Sequence, residues 1–350
     1  MSIELVSPPF VFGDEGRLFD FISGLNSNDK IALISHIDLD GVTAAKLVTK
    51  VINPQVIRLV NYEELNQDLI DDLKNSQVNK IFITDLFAKD LNFVKNLEKF
   101  AEIVIIDHHL AEYDLNSEKT IFFNSQGFCA SYLCYYLFSK IKDVSTFDWL
   151  VACASVADWL YFINSEWIGQ IYKKYGDEFF IDGKEIRKTG KFWDLQWILT
   201  LAFVDLRSKD KILEALSSIG EDFGEIGNLA ENYKKVQDEI DDGLKRFEIE
   251  KKQISGGYFW EFTPHYRIGS IVSSLLSSKY YNNTIIIARE EGEFYNFSAR
   301  RGDKKEDMNA LLGRLTQGLE GASGGGHVPA AGGHVLLKDK DEFKKRLGVF

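Results

Sequence analysis

Four places in this sequence set histidine or aspartate against an apolar run. They are His36 with Asp38 and Asp40-Gly41 after "ALIS", Asp85 after "IFIT", Asp107-His108-His109 after "IVII", and Asp158 after "VACASVA". Five of the six histidines fall in three clusters: His36, the pair His108 and His109, and the pair His327 and His334; His265 stands apart. A lone histidine at a strand end is usually structural, but repeated carboxylates beside it make a pattern suited to holding metal ions. The Asp38-x-Asp40-Gly41 spacing is not a calcium loop. Counted from Asp38, its fifth position is Val42 and its twelfth Thr49, where an oxygen ligand and a glutamate are required. Imidazole mixed with carboxylate suits Mn²⁺, Fe²⁺, Co²⁺ or Zn²⁺ better than Ca²⁺. Several carboxylates and two or three imidazoles suffice for two ions about 3.5–4 Å apart, the arrangement of phosphatases and nucleases. Such a pair needs one carboxylate able to bridge it.

The segments that must position these groups alternate in kind over the first 160 residues. Short β-rich runs lie at 30–35, 55–61, 80–86, 102–109 and 120–124, separated by stretches of helical spacing such as Leu65, Leu69 and Leu73. Strands buried on both faces read as continuous apolar runs, and their alternation with helices predicts a doubly wound parallel sheet. Open sheets of this kind bind ligands outside the carboxyl ends of their strands. The histidines and aspartates therefore belong to one shared site. After Asp158 the pattern is mostly helical, with aromatics at 192–203 and an amphipathic helix carrying Leu229, Tyr233, Val236, Ile240, Leu244 and Phe247. Gly256 and Gly257 break it, and a shorter α/β unit follows, running from the strand at 283–290 through "FYNFSARR" to "GASGGGHVPAAGGHV". The expected organisation is α/β, with domain limits at 1–160, 161–254 as a helical connector, and 255–350.

Bulk properties narrow the partners. The 350 residues carry 41 Lys plus Arg against 53 Asp plus Glu, a net charge of −12, so no overall basic field attracts a polyanion. Contact with nucleic acid must be local or carried by metal ions. Cys129, Cys134 and Cys153 sit in apolar surroundings without a CxxC pair and read as buried free thiols in a reducing interior. The start MSIELVSPPF lacks the features of a signal peptide, and the apolar stretch from Trp149 to Ile163 is too short to span a membrane. The expectation is a soluble cytoplasmic protein.

Taken together, His36-x-Asp38-x-Asp40-Gly41, the strand-end Asp85, Asp107-His108-His109 and "SVADW" with Asp158 resemble the four ordered motifs of the DHH phosphoesterase family. "FSARR" followed by "GGGHVPAAGG" resembles the DHH-associated C-terminal domain of RecJ-like exonucleases and bacterial nanoRNases. The resemblance spans nearly the whole chain and constrains 159–250 only loosely. It implies a parallel-sheet N-terminal DHH domain and a smaller α/β C-terminal domain. It also implies His36 and Asp38 on a first metal, Asp40, His108 and Asp158 on a second, and Asp85 bridging them. His109 would face the phosphate and Asp107 would orient ligands.

The glycine-rich element has its own logic. Gly324, Gly325 and Gly326 remove side chains so that backbone N–H groups can form an anion-binding nest, with His327 and Arg300 adding charge-assisted hydrogen bonds. A plain glycine hairpin is the alternative reading. In the family this segment closes over the metal site from a second domain. Ser298 precedes both Arg300 and Arg301, and the sequence leaves open which arginine contacts phosphate. The aromatics Tyr258, Phe259 and Trp260 read as domain core before base-stacking groups, and the mixed charges at 338–346 as a solvated helix.

The function implied is a two-metal phosphodiesterase or exonuclease releasing mononucleotides from single-stranded RNA or DNA oligonucleotides. The cofactor is two divalent ions, Mn²⁺ first, with Mg²⁺ and Co²⁺ as alternatives. Rival readings are a small-molecule phosphoesterase acting on cyclic dinucleotides or 3′-phosphoadenosine 5′-phosphate, and a RecJ-related replication scaffold binding helicase components. Replication or repair proteins are the further partners these readings imply.

Overall fold

The computed structural model describes residues 3–86, 91–182, 185–206 and 209–349. The chain forms two compact units, 1–233 and 234–350. The first contains α1 (Glu15–Ser23), β1 (Ile31–His36), α2 (Leu39–Val51), β2 (Val56–Val60), α3 (Gln67–Asn75), β3 (Lys80–Thr84), α4 (Leu91–Leu97), β4 (Glu102–Asp107) and β5 (Thr120–Asn124). It continues with α5 (Ala130–Phe138), α6 (Asp148–Ala157), α7 (Ser165–Lys174), the short hairpin β6 (Ile181–Asp182) and β7 (Glu185–Ile186), α8 (Lys191–Ala202) and α9 (Lys209–Ser218).

β1 to β5 form one parallel sheet in the order β2-β1-β3-β4-β5. Alternate residues of each strand enter different cores. Leu33, Phe82, Val104 and Phe123 pack with α2, α5 and α6, whereas Ile34, Ile83, Ile105 and Phe122 pack with α3 and α4. This period of two on two apolar faces is why the strands read as unbroken hydrophobic runs. The order reverses at β1, whose following helix lies on one face while those after β2 and β3 lie on the other. A crevice thus opens at the carboxyl ends of β1 and β3.

The helical spacing through Leu65 overstates α3. Asn66 caps that helix, its side chain accepting the N–H groups of Asp68 (3.0 Å) and Leu69 (3.3 Å), and a 3₁₀ turn at Tyr62–Glu64 precedes it. The hairpin β6–β7 also interrupts the stretch expected to be helical. α10 (Leu229–Glu250) carries the chain into the second unit.

That unit comprises β8 (Lys252–Ile254), β9 (Gly257–Glu261), α11 (Gly269–Lys279), β10 (Thr284–Glu291), β11 (Phe294–Arg300), α12 (Met308–Thr316), β12 (Ser323–His327), β13 (Ala330–Leu336) and α13 (Lys340–Arg346). Its mixed sheet runs β12-β13-β11-β10-β9-β8. Phe259, Tyr295, Phe297, Leu312, Val335 and Phe343 form its core. Phe259 and Trp260 are buried, and the Trp260 Nε1–H donates to Glu250 (2.9 Å), so this aromatic run is structural. α13 buries Phe343 and turns Lys340 and Lys344 onto Glu261 at 2.8 Å each. The three cysteines are buried and unpaired. Among the described residues no helix is long and apolar enough to cross a membrane.

Candidate metal centre

His36 is the last residue of β1, and Asp38 is the N-cap of α2, its Oδ1 accepting the Gly41 N–H at 3.0 Å. Gly41 is required because a Cβ there would lie 2.2 Å from the His36 carbonyl oxygen. Only glycine lets the first turn of α2 fold back so tightly on the strand it follows. Buried Ser35 locks the junction, donating to the Gly41 carbonyl at 2.7 Å and pairing with Thr84 Oγ1 at 2.6 Å. Asp85 follows β3 with φ +58, a left-handed conformation that aspartate tolerates better than most side chains. Its N–H donates to the Ile106 carbonyl at 3.0 Å.

Three loops and α6 bring these groups together. His36 Nδ1 lies 2.9 Å from Asp38 Oδ2 and 3.6 Å from Asp85 Oδ2. His108 Nε2 lies 3.1 Å from Asp85 Oδ1, 3.5 Å from Asp158 Oδ2 and 3.8 Å from Asp40 Oδ2. Asp85 thus turns one oxygen toward each imidazole. Ligand atoms of His36, Asp38 and Asp85 all fall within 4.8 Å of one another, as do those of Asp40, His108 and Asp158. Asp40 is held rigidly, since Oδ2 and Oδ1 accept the N–H groups of Ala130 (2.7 Å) and Ser131 (2.9 Å) in the first turn of α5.

The cluster is short of positive charge. Asp85 Oδ2 and Asp158 Oδ2 are buried with no hydrogen-bond partner among the described residues, and such groups are costly unless something satisfies them. Burial, followed by the Asp40 and Asp38 charges, pushes Asp85 well above the usual carboxylate range. Burial and Asp40 raise Asp158 to about 8. Burial works to lower the His36 pKa, but the Asp38 carboxylate that its Nδ1–H meets and the nearby Asp85 carboxylate override it and raise the imidazolium to about 10. The chain alone can relieve the carboxylates only with protons, so the donor set fits divalent cations of the imidazole-accepting kind.

Asp107 orients His109, whose ring nitrogen lies within 4.8 Å of ligand atoms of Asp85 and His108. Asp107, fully buried, takes the His109 backbone N–H on Oδ2 (2.9 Å) and its Nδ1 on Oδ1 (2.9 Å). With Nδ1–H committed to a carboxylate, Nε2 is the acceptor. The Tyr62 hydroxyl lies 3.0 Å from Nε2 and 3.1 Å from Nδ1. Asn124, at the end of β5, donates to the carbonyls of Asp107 (3.2 Å) and His109 (2.9 Å). Tyr62 and Asn124 escape sequence reasoning. Asn124 is the single polar residue ending an apolar run, a position that could have flagged it, whereas Tyr62 lies in a 3₁₀ turn beyond β2 with no such signal.

In the second unit, strand register sets the remaining residues. Arg300 pairs with Ala330, which pairs with His327, and Ser298 pairs with Gly332, which pairs with Gly325. Directly paired residues share a face, so Ser298, Arg300 and His327 border a stretch of sheet that glycine leaves bare. Gly324, Gly325 and Gly326 do not form the expected nest. They lie extended in the exposed edge strand β12, which ends one flank of the sheet. Close packing explains two of the glycines here: a Cβ on Gly324 would come within 3.3 Å of Leu312 Cβ, and one on Gly333 within 2.1 Å of the Ser323 carbonyl. Arg301 is engaged by Asp303 (2.7 Å) and Glu306 (3.5 Å). Arg300 instead donates to the Ala299 and Ala331 carbonyls at 3.0 and 3.2 Å, with no carboxylate partner among the described residues.

Residues 30–161 match the model of the DHH family N-terminal domain, and residues 258–348 that of the DHHA1 domain. No curated protein matches the sequence. Similar solved structures include an exonuclease RecJ bound to manganese, 13% identical, covering 99% of this chain and 95% of its own, with a TM-score of 0.67. CDC45 from Entamoeba histolytica is 10% identical over 95% of this chain and 97% of its own, with a TM-score of 0.57. The pGpG-specific phosphodiesterase PggH from Vibrio cholerae is 14% identical over 91% and 97%, with a TM-score of 0.50. At these identities the likeness is one of fold.

Proposed function

The chain belongs to the DHH family, with its N-terminal domain at 30–161 and a DHHA1 domain at 258–348, and from that membership we propose that it is a metal-dependent phosphodiesterase releasing mononucleotides from short single-stranded oligonucleotides. The observation that carries this reading is Asp85, whose Oδ2 faces His36 at 3.6 Å while its Oδ1 faces His108 at 3.1 Å. His36 and Asp38 would hold one divalent ion, Asp40, His108 and Asp158 a second, with Asp85 shared. Mn²⁺ is the first choice for such mixed ligands. When bound, the ions supply Lewis acidity and a nucleophile at neutral pH, which phosphodiester hydrolysis requires.

The chain's own groups have distinct tasks. Asp107 holds the His109 ring through Nδ1 and the His109 backbone N–H, and so would orient that ring toward a substrate phosphate. Asp40, tied to the N-terminus of α5, cannot swing away when a cation binds. Arg300, Ser298, His327 and the backbone around Gly324, Gly325 and Gly326 would hold a substrate phosphate. Arg300 is the better placed arginine because Arg301 is already neutralised. All the ligand positions carry competent side chains, which speaks against a scaffold that has lost its chemistry.

A product-resolved assay tests the reading. Labelled RNA and DNA of two to thirty nucleotides, cyclic dinucleotides and 3′-phosphoadenosine 5′-phosphate are each offered with Mn²⁺ and with Mg²⁺. Mn²⁺-dependent release of mononucleotides from the shortest strands is expected. Turnover of 3′-phosphoadenosine 5′-phosphate or cyclic dinucleotides alone would replace this reading with the small-molecule one.

A further inference from the structure

α6 ends in a Schellman motif built around the wrong residue. Asp158 is its C-cap; the Trp159 N–H donates to the Val156 carbonyl (3.2 Å), and the Leu160 N–H to the Ser155 carbonyl (3.0 Å). The position between cap and closure adopts the left-handed conformation and is normally glycine. Here it is tryptophan, at φ +58. A bulky side chain in this region costs free energy that glycine avoids. The side chain does not recover that cost by burial, because Trp159 is 51% exposed.

Two further facts say what the ring is for. Trp159 directly follows Asp158, whose Oδ2 is 3.5 Å from His108 Nε2, so the ring stands one residue from where a phosphodiester would meet the metal centre. It also belongs to an aromatic ledge. The Tyr161 ring lies 6.2 Å from Trp159 and 4.6 Å from Phe162, and Tyr161 is buried while Phe162 is 48% exposed. Lys188 Nζ lies over one face of the Trp159 ring, 5.6 Å from its centroid, which leaves the opposite face for stacking. Scattered exposed apolar residues need no explanation. An exposed indole held in a strained conformation beside a metal ligand does.

Resting on the function proposed above, we infer that Trp159, with Phe162 beside it, is the stacking platform for a nucleobase attached to the phosphodiester at the metal centre. Every base has a π-face, so such a platform accepts all sequences while rejecting phosphodiesters that carry no base. It confers selectivity for nucleotides over other phosphodiesters.

The test compares a dinucleotide with counterparts in which either base is replaced by an abasic sugar. The wild type should prefer the base-bearing substrate, and the ratio of kcat/KM values should fall about 10- to 100-fold in Trp159→Gly. The loss should lie mainly in KM, and Trp159→Tyr should restore most of the preference. Because glycine suits the left-handed position, the Tm of Trp159→Gly should be no lower than that of the wild type. An equal loss on base-bearing and abasic substrates, or a lowered Tm with weakened Mn²⁺ binding, would make the residue structural and overturn the inference. So would an altered sedimentation of the variant with the preference intact, which would assign the ledge to a protein partner. A wild type that hydrolyses no dinucleotide at all would overturn the functional reading and the inference together.

Discussion

Buried carboxylates that lack partners set the pH behaviour of the site. In the metal-free chain burial holds Asp158 at about 8, so below that pH a cation must displace a proton. Because His36, held at about 10, must also release its proton to bind a cation, Mn²⁺ affinity should rise by about tenfold or more per pH unit between about 6 and 8 and more shallowly from there to about 10, as followed by calorimetry. A folded-state pKa raised above the unfolded value contributes stability that is present below the unfolded pKa and lost as pH climbs through the folded one. Asp158 and His36, raised to about 8 and about 10, act in the same direction. The Tm of the metal-free chain should thus fall across this window while the increment from Mn²⁺ grows. Tyr62 supports a second prediction. Its hydroxyl lies 3.0 Å from His109 Nε2 and 3.1 Å from Nδ1, so Tyr62→Phe should lower kcat about 2- to 13-fold, the worth of a neutral hydrogen bond, with metal binding unchanged. An unchanged kcat in that variant would detach Tyr62 from His109. The aspartates and histidines were legible in the sequence because their residue types advertise chemistry. Tyr62 was not, because a tyrosine in "NYEELN" has neighbours that explain it as surface.

Elements carry the second lesson, that strand ends and helix starts place the ligands. The five parallel strands were readable because burial on two faces leaves no polar alternation to confuse them. The glycine-rich segment reads as a nest and is an extended edge strand, because composition shows that side chains are missing without showing which backbone conformation they leave. Here Leu312 and the Ser323 carbonyl occupy part of the space those side chains would fill. Which arginine is free was likewise hidden until Arg301 was seen bound to Asp303 at 2.7 Å. At this scale Gly41 is the critical residue. A Cβ 2.2 Å from the His36 carbonyl oxygen must displace either the end of β1 or the first turn of α2. Gly41→Ala should cost about 1–3 kcal/mol, seen as a Tm lower by roughly 2–12 °C, together with weaker Mn²⁺ binding. A stable variant with wild-type affinity would mean the junction is less tight than described.

Across the whole molecule, charge limits how substrate can be held. The net charge is −12, and many lysines are already paired, as Lys340 and Lys344 are with Glu261. Long strands should therefore gain little over short ones. Binding to an Asp85→Asn variant should show a log–log salt slope of about −0.7 per neutralised phosphate, no steeper than about −2 on a 30-mer. A slope of about −4 with much tighter 30-mer binding would indicate an extended nucleic-acid track. If Asp85 joins two ions into one hydrolytic centre, its loss must remove an ion as well as turnover, and both can be measured on the same variant. Asp85→Asn is nearly isosteric, and asparagine tolerates the left-handed conformation at φ +58, so the variant should fold. Calorimetric titration of the intact chain with Mn²⁺ should find two ions per chain in the wild type and fewer in Asp85→Asn, with turnover of a dinucleotide falling roughly a thousandfold or more, about 4 kcal/mol. Two ions still bound with more than about a tenth of wild-type turnover, a loss under about 1.4 kcal/mol, would contradict the account.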